Sequence, residues 1–340
     1  MKLERVKCKP LERAKNLCVS RSYVVGCTGQ KAAILDKQLN LLHTVDKLEY
    51  VYCAAVSPDE TKLLLISNGN KFYIVDLQTY EKTSVTVKAP YSYNLEGIGC
   101  WSFDGRSLWI PVNRSVGYIN STLRRYWLDD LSRYEDRLKD KYVITGLVPV
   151  EKTRSYFLTG YNRQENNRCY FIHFDGTGFR EFPLAEDVDM LTPAITVDAE
   201  KGVVNISDLS GCRQFTPDGK LLASFSHPAP KDKMLCGSAL FEDMPAGNGE
   251  QQKQLKEFSA ALGLEHISAP DRIAKRSVSL CGSYIYLASQ SGFYLQDAHT
   301  EAVLASVPEE YGVQNVEELA PGLIAIATWT GVKIYRLCED

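Results

Sequence analysis

The residue types that most often bind metals or perform catalysis are scattered along this sequence. The ten cysteines include no CxxC pair, a spacing that zinc sites and thiol redox sites commonly use. The nucleophile elbow GxSxG and the phosphate loop GxxxxGKS/T are absent, and no GxGxxG follows a strand-like run. The five histidines show neither HxH nor HxxxH spacing: His43, His173, His227, His266 and His299. The sequence therefore predicts no catalytic residue, no metal site and no cofactor.

Aromatic and basic residues are better candidates for binding, because tyrosine, tryptophan and arginine dominate the hot spots of protein interfaces. Several of them lie in segments between strand-like runs, and loops held on a rigid scaffold commonly carry function. We predict that the following residues contact a protein or peptide partner: Tyr91, Tyr93, Asn94, Tyr161, Arg163, Tyr311 and Trp329.

The composition is that of a globular protein with a large core. Of the 340 residues, 44% are hydrophobic and 24% are charged, and 39 basic and 42 acidic residues give a net charge of −3. Nucleic-acid binding is not expected without a basic excess. The N-terminus has no apolar signal segment, and runs such as Leu63–Ile66 are far shorter than the roughly 18 residues of a membrane span. We expect a cytoplasmic protein with no membrane partner, whose cysteines are mostly reduced core thiols.

A repeated pattern of short strands and turns would position the candidate residues. Its clearest copy, Ala54–Val87, contains four strand-like runs separated by turn residues. Pro58 favours the first turn because its ring fixes φ, and Gly69 favours the second because it tolerates positive φ. The third run of the repeat ends at Ile34-Leu35-Asp36, Ile74-Val75-Asp76, Tyr118-Ile119-Asn120, His173-Phe174-Asp175, Thr216-Pro217-Asp218, Leu295-Gln296-Asp297 and Ile334-Tyr335-Arg336.

These endings predict an all-β protein, a seven-bladed β-propeller of four-stranded antiparallel blades. Most intervals between them are close to the roughly 40–45 residues that a four-stranded blade requires. We expect a single domain, 1–340, with blades at approximately 15–46, 48–87, 96–127, 142–184, 192–227, 276–307 and 314–337. The last blade lacks a fourth strand. The strand-like run Leu3–Cys8, within residues 2–8, is predicted to complete it and close the ring.

Two insertions interrupt the repeat and are predicted to be short helices. In residues 127–142, apolar side chains recur at intervals of three or four, which is typical of a helix. Residues 228–275 contain the second candidate helix, Glu250–Leu262, followed by Gly263 as a C-cap. Both insertions connect the fourth strand of one blade to the first strand of the next. They should therefore rise from the same face as the turns between second and third strands.

The repeat resembles a known superfamily. The segment SPDETKLLLISNGNKFYIVDLQT is similar to a blade of WD40-like and YVTN-like propellers, and SFDGRSLWI at 102–110 and TPDGKLLASF at 216–225 share pieces of it. The Gly-His and Trp-Asp pairs of WD40 repeats are missing, and Leu-Asp, Val-Asp, Phe-Asp or Gln-Asp stands in place of Trp-Asp. The resemblance implies the propeller architecture and no particular functional subfamily.

Two functions remain open at this stage. The first is a non-catalytic scaffold that binds an unidentified protein or peptide on the face carrying the insertions and the candidate residues. The alternative is a small-molecule hydrolase, since propellers of about this length include lactonases with a polar site at the mouth of the central channel. Each blade would contribute about one residue to such a site, so residue spacing does not reveal it.

Overall fold

The computed structural model of the protein describes residues 1–67, 69–87, 93–95, 98–114, 121–184, 194–198, 202–208, 211–225, 273–289, 292–307, 313, 315–328 and 330–338. Over these residues the secondary structure consists of 28 β-strands and two short 3-10 turns, Glu151–Thr153 and Arg163–Glu165. In this part of the chain, no helix has the length and apolar character needed to cross a membrane. The prediction of an all-β protein is therefore confirmed.

The strands form six antiparallel sheets, numbered I to VI along the chain. The first strand, β1 (Lys2–Val6), belongs to sheet VI. Sheet I contains β2 (Asn16–Val19), β3 (Tyr23–Cys27), β4 (Ala32–Asp36) and β5 (Leu41–Val45). Sheet II contains β6 (Val51–Val56), β7 (Lys62–Ser67), β8 (Lys71–Asp76) and β9 (Lys82–Thr86).

Sheet III has eight strands and the remaining sheets have four each. Sheet III contains β10 (Tyr93–Leu95), β11 (Cys100–Trp101), β12 (Ser107–Arg114), β13 (Ser121–Trp127), β14 (Asp130–Val150), β15 (Ser155–Asn162), β16 (Arg168–Phe174) and β17 (Phe179–Pro183). Sheet IV contains β18 (Ala194–Asp198), β19 (Val203–Asp208), β20 (Gly211–Phe215) and β21 (Leu221–Phe225). Sheet V contains β22 (Ile273–Val278), β23 (Tyr284–Ser289), β24 (Gly292–Asp297) and β25 (Val303–Val307). Sheet VI contains β26 (Asn315–Ala320), β27 (Leu323–Thr328) and β28 (Gly331–Cys338), with β1 beside β28.

The N-terminal strand completes the last sheet, as the sequence predicts. β1 pairs with β28 in antiparallel register from Lys2 opposite Cys338 to Val6 opposite Ile334. The segment after β1 then crosses to sheet I, and Val332 N–H donates to the Leu11 carbonyl at 3.2 Å. Leu11 is fully buried there. The two ends of the chain are therefore joined through one sheet, and this junction of sheets VI and I is called the seam below.

Both faces of the central strands are buried, which explains their unbroken apolar runs. In β7, Leu63 and Leu65 pack in the cluster between sheets I and II, whereas Leu64 and Ile66 pack in the cluster between sheets II and III. Successive side chains of a strand point to opposite faces, so a strand between two sheets must be apolar at every position. The fourth strand, β9, is largely exposed and polar because it forms an outer edge.

The first strands of the sheets contact one another in sequence, and sheet III takes part through β11 and β14. β2 contacts β6, β6 contacts β11, β11 contacts β14, β14 contacts β18, β18 contacts β22, β22 contacts β26, and β26 contacts β2. These contacts link neighbouring sheets through their first strands, in addition to the packing of the central strands.

Aspartates at the end of the third strand fold the following turn, which explains the repeated endings in the sequence. The Asp76 carboxylate accepts hydrogen bonds from the backbone N–H groups of Gln78 at 2.9 Å and Thr79 at 3.0 Å. Asp297 accepts the same pair from His299 and Thr300. These N–H donors favour the ionised carboxylate and hold the pKa of both aspartates below its usual value.

The predicted helix at 127–142 is wrong, because this segment forms a β-hairpin. β13 and β14 pair with Arg124 opposite Asp136 and Tyr126 opposite Tyr134. The guanidinium of Arg124 donates to Asp136 through Nε–Oδ1 at 2.6 Å and Nη2–Oδ2 at 3.0 Å. Apolar side chains can also recur at intervals of three or four in a strand. Here the conformation is decided by cross-strand pairs, Arg124 with Asp136 and Tyr126 with Tyr134, whose members are eight to twelve residues apart in the sequence.

Strand β14 also moves two predicted boundaries. It continues through Val150 and pairs first with β13 and then with β15. The blade-like unit, or unit, that was expected at 96–127 therefore extends past Trp127 into β14. Positive φ angles at Leu138 and Asp140 interrupt the strand between these two pairings. The same unit starts earlier than expected, because Tyr93 and Asn94 lie in β10 and pair with β12. They belong to a strand and not to a connecting loop.

The second predicted insertion, 228–275, lies almost entirely outside the described residues, including Glu250–Leu262. Its last three residues, 273–275, are the beginning of β22. The first strand of sheet V therefore starts before the expected position 276.

We expect Asp136→Asn to destabilise the protein substantially. The Arg124 side chain is 4% exposed, and Asp136→Asn removes the carboxylate of its ion pair, at a cost of about 2–4 kcal/mol in the free energy of unfolding. Asp129→Asn in the same hairpin is the control, because its ion pair with Arg133 is exposed on both sides and should contribute less than about 0.5 kcal/mol. Urea unfolding measures both values, and equal effects would contradict this account.

We expect Gly331→Ala to destabilise the seam. A Cβ atom at Gly331, whose φ is +151°, would overlap the carbonyl oxygen of Glu12, and this overpacking costs about 1–3 kcal/mol or more. Gly176→Ala is the control, since Gly176 also has positive φ (+93°) but has no atom within 4 Å of the new Cβ. Its cost should be limited to about 1 kcal/mol of backbone strain. A urea midpoint lowered no further by Gly331→Ala than by Gly176→Ala would show that the seam is loosely packed.

Candidate functional site

The structure describes four of the seven candidate contact residues. Tyr161 is near the end of β15, and Arg163 begins the 3-10 turn that follows it. Tyr93 and Asn94 lie in β10, with Arg114 and Asn113 as their partners. The other three candidates lie outside the described residues: Tyr91, Tyr311 and Trp329.

The described candidates lie at one end of sheet III. The upper end of a sheet is defined here as the end at which its second strand connects to its third. Ser121, the first residue of β13, pairs with Tyr142, and the adjacent Val143 pairs with Tyr161. β10 pairs with the last residues of β12, just before the connection to β13. The backbone pairing thus brings the segments carrying the candidates to the upper end of two neighbouring units.

A tight turn positions Arg163 beside Tyr161. The Asn162 side chain accepts a hydrogen bond from Gln164 N–H at 3.0 Å and donates one to Glu165 Oε1 at 3.0 Å. These two bonds close the turn around Arg163, as asparagine side chains commonly do. The exposed Arg163 guanidinium lies 5.8 Å from the centre of the Tyr161 ring and donates to its hydroxyl at 3.4 Å. The pair is thus held on a closed turn at the end of a buried strand.

Two further residues that the sequence did not indicate complete this cluster. The Tyr170 hydroxyl donates to the carboxylate of Glu165, and the Tyr170 ring lies 5.1 Å from the ring of Tyr142. Because the negative carboxylate stabilises the protonated phenol, the pKa of Tyr170 is raised above its usual value. Tyr161, Arg163, Glu165 and Tyr170 are called the upper cluster below. Their proximity depends on the register of the β15–β16 pairing, in which Tyr161 lies opposite Cys169 and Gly160 opposite Tyr170.

A second group of aromatic and basic residues lies on the hairpin that was predicted to be a helix. The Arg125 guanidinium lies 5.4 Å from the centre of the Trp109 ring and 5.1 Å from that of Trp127, and the Arg133 guanidinium lies 4.5 Å from the centre of the Trp127 ring. Such cation–π stacks stabilise exposed sheet surfaces by about 0.5–1 kcal/mol each. The signal in the sequence is the alternation of Arg125 and Trp127 with period two, which indicates one face of a strand.

A cavity of about 490 Å³ lies between sheets IV and V at their lower end, opposite the upper cluster. It was not predicted. Its walls are the end of β18, part of β19, the end of β22 and the turn after β22. The charged and polar residues among its lining are Thr196, Asp198, Asn205, Arg276, Ser277, Ser279 and Cys281. The available signal was Arg276, a charged residue in a first strand where β6 carries Ala54 and Ala55.

The residues that the structure describes contain no cluster of potential metal ligands. No three histidine, cysteine, aspartate or glutamate side chains lie together there in an arrangement that could hold a metal ion.

Comparison with known proteins shows the fold. No protein-family model matches the sequence, and no curated relative matches it. The structure resembles the β-propeller domain of Cps50 (Swd1) from Myceliophteria thermophila, with a TM-score of 0.65 and 9% sequence identity, over 99% of this chain and 98% of that one. It also resembles hydrazine synthase from Kuenenia stuttgartiensis, with a TM-score of 0.65 and 10% identity, over 97% of each chain. The chain therefore has a β-propeller fold. At these identities the likeness defines architecture and not activity.

We expect Glu165→Gln to lower the pKa of Tyr170 towards the usual tyrosine value, because the substitution removes the negative charge that stabilises the protonated phenol. Carbon-13 labelling of tyrosine and an NMR titration between neutral and alkaline pH measure this pKa. Glu151→Gln is the control, since Glu151 lies in the 3-10 turn at the opposite end of β15. An unchanged Tyr170 pKa in Glu165→Gln would show that the two side chains are not paired in solution.

Proposed function

We propose that this protein is a seven-bladed propeller that acts in the cytoplasm as a non-catalytic scaffold and binds a protein or peptide at its upper end. The blade count rests on dividing sheet III into two units at the interruption in β14, with one four-stranded unit in each other sheet. The contacts among first strands, which return from β26 to β2, support a ring of these units.

The single observation that carries the binding role is the upper cluster. It presents an exposed arginine and a tyrosine on a turn whose conformation is set by the Asn162 side chain. Because the turn is ordered before binding, it loses little conformational entropy when a partner binds to it. Tyrosine and arginine in this arrangement are the residue types that contribute most to binding hot spots.

The chemistry of the cluster favours an acidic segment as the partner. Arg163 is the exposed basic residue of the turn, and the carboxylate of the neighbouring Glu165 pairs with Asn162 and Tyr170. Guanidinium groups bind carboxylates through paired hydrogen bonds, which gives both affinity and orientation. Tyr161 adds an apolar surface beside the charge. Tyr93, Asn94, Tyr91, Tyr311 and Trp329 would extend the surface.

We expect Arg163→Ala to weaken binding of an acidic peptide by about tenfold or more, the scale of one charge-assisted hydrogen bond. Peptides are selected from a displayed random library on the purified full chain, and dissociation constants are measured by fluorescence anisotropy. Arg154→Ala is the matched control, because Arg154 is an exposed arginine at the opposite end of β15. Tyr93→Ala and Trp329→Ala then test how far the surface extends.

Equal losses of affinity in Arg163→Ala and Arg154→Ala would reject the upper cluster as the binding surface. Selection of no peptide, together with a raised melting temperature in the presence of a sugar lactone or a divalent metal ion, would favour the hydrolase alternative.

A further inference from the structure

Among the histidines that the structure describes, His173 is the buried one. It lies near the lower end of β16, and it is 7% exposed. Its ring is stacked on the Phe157 ring of β15, with 4.8 Å between the ring centres and 12° between the planes. His43 lies in an outer strand and His299 in an exposed turn. Because burial disfavours a charged side chain, His173 is the histidine whose protonation the fold influences most.

A hydrogen bond to this imidazole fixes its tautomer. β16 and β17 pair with His173 opposite Arg180, and Arg180 Nη2 lies 3.1 Å from His173 Nδ1. A guanidinium carries N–H donors and no acceptor, so it can only donate to a ring nitrogen that has no proton. The imidazole must therefore be neutral, with its proton on Nε2, whenever this hydrogen bond is present.

Protonation of His173 removes this hydrogen bond. An imidazolium carries a proton on both ring nitrogens, so Nδ1–H would face the N–H groups of Arg180 as a second donor. Two positive charges would also meet beside a buried strand. Burial and the positive charge of Arg180 accordingly hold the pKa of His173 below its usual value, although the nearby Asp175 opposes them.

The two partners differ in exposure, so one of them can move. His173 is held in a buried strand, whereas Arg180 in β17 is exposed. When the guanidinium leaves the imidazole it enters water, where a charged group is well solvated. The Arg180 side chain can therefore leave His173 without a change in strand pairing.

A carboxylate of the neighbouring sheet offers the guanidinium a second partner. The turn between β20 and β21 packs against β17, since a Cβ atom at Gly219 would overlap the Phe182 ring. This turn carries Asp218. Its pKa lies below the usual value, mainly because of the Thr216 hydrogen bond, and the positive charge of Arg180 contributes. Asp218 therefore stays ionised at the pH at which the histidine takes up a proton, and it can attract the released guanidinium.

The charged groups around the imidazole come from three elements. They are Arg180 from β17, Asp175 from the turn after β16, and Asp218 with Lys220 from the β20–β21 turn of sheet IV. β15 contributes the uncharged Phe157. The Asp175 carboxylate accepts hydrogen bonds from backbone N–H groups of its own turn, which hold it in place. Arg180 is therefore the group that a proton on the imidazole displaces.

We propose that His173 and Arg180 form a proton-operated switch at the junction of the β14–β17 unit with sheet IV. The neutral imidazole holds the guanidinium at Nδ1, and protonation of the imidazole releases the guanidinium towards Asp218. The switch makes the packing of β16 and β17 depend on pH. It lies at the lower end of β16 and does not depend on the function proposed for the upper cluster.

The direction of the pH dependence follows from proton linkage. A histidine in an opened strand takes up a proton near its usual pKa of about 6.5, whereas His173 in the folded strand takes it up only at lower pH. The stability that neutral His173 contributes is complete above about pH 6.5 and is lost as the pH falls below this value. Opening of β16 and β17 should therefore increase by up to about tenfold per pH unit in this range.

NMR of the full chain, labelled with nitrogen-15 in histidine, tests the hydrogen bond directly. Long-range proton–nitrogen spectra report the tautomer and the pKa of each histidine. We expect one signal, absent from His173→Asn, that has its proton on Nε2 at neutral pH. This signal should titrate at lower pH than those of the more exposed His43 and His299.

The role of the guanidinium is tested separately. We expect Arg180→Gln to raise the pKa of His173, because the substitution removes the adjacent positive charge. Arg168→Gln is the matched control, since Arg168 is an exposed arginine at the other end of β16 and should leave this pKa unchanged. Asp218→Asn should lower the pKa of His173 further, because it removes a negative charge that favours the released guanidinium.

Hydrogen–deuterium exchange measures the opening of β16 and β17, after correction for the chemical dependence of exchange on pH. Peptides from these strands in the wild-type chain should lose protection as the pH falls below about 6.5. His173→Asn should lose less, because its amide oxygen can accept from Arg180 and does not titrate. Arg180→Gln should also reduce the pH dependence, and it replaces His173→Asn if that variant does not fold.

Four results would overturn the proposal: a proton on Nδ1 of His173 at neutral pH, a His173 pKa at or above the usual value, equal effects of Arg180→Gln and Arg168→Gln on this pKa, or the same acid-dependent loss of protection in the wild-type chain and His173→Asn. The last result would show that other groups cause the acid sensitivity of these strands.

Discussion

Burial of both faces of each sheet is the constraint on which this structure depends. A four-stranded sheet whose central strands are apolar at every position cannot stand alone in water, and each neighbour that covers one face has a second face to cover. Leu63 to Ile66 illustrate the rule, because alternate side chains enter the clusters on either side of sheet II. A linear stack would leave two apolar faces exposed. Contact between the last sheet and the first covers both of these faces. Because β1 is paired with β28 in the last sheet, the chain that runs on from β1 to β2 links the last sheet covalently to the first.

The turns add a second level of order to this packing. Aspartates after third strands and serines after first strands accept hydrogen bonds from backbone N–H groups of the turns and so fix the turn conformations. Such turns can change their side chains at little cost to the scaffold. At the upper end Asn162 closes a turn that exposes Arg163, and at the lower end Cys281 takes a position that Asp59 and Asp104 hold in other units. The same backbone device therefore supports different chemistry at different sites.

The architecture does not select between binding and catalysis. One structural neighbour is the β-propeller domain of Cps50 and another is hydrazine synthase, and both differ from this chain at about nine residues in ten. Function in such a fold resides in the side chains that individual turns and interfaces present. In the function proposed for this chain, that place is the upper cluster on β15 and β16.

The sequence by itself determined the features that depend on neighbouring residues. These are the apolar runs of the central strands, the turns at Pro58 and Asp76, and the need for a strand to complete the last sheet. Tertiary structure alone decided the hairpin at 127–142, where Arg124 and Tyr126 pair with residues that follow the turn. It alone brought Glu165 to Tyr170 and Arg276 to Thr196. The physical reason is range: a turn is specified by the few residues that build it, whereas cross-strand pairs and sheet interfaces depend on partners whose positions are known only after the sheets have packed.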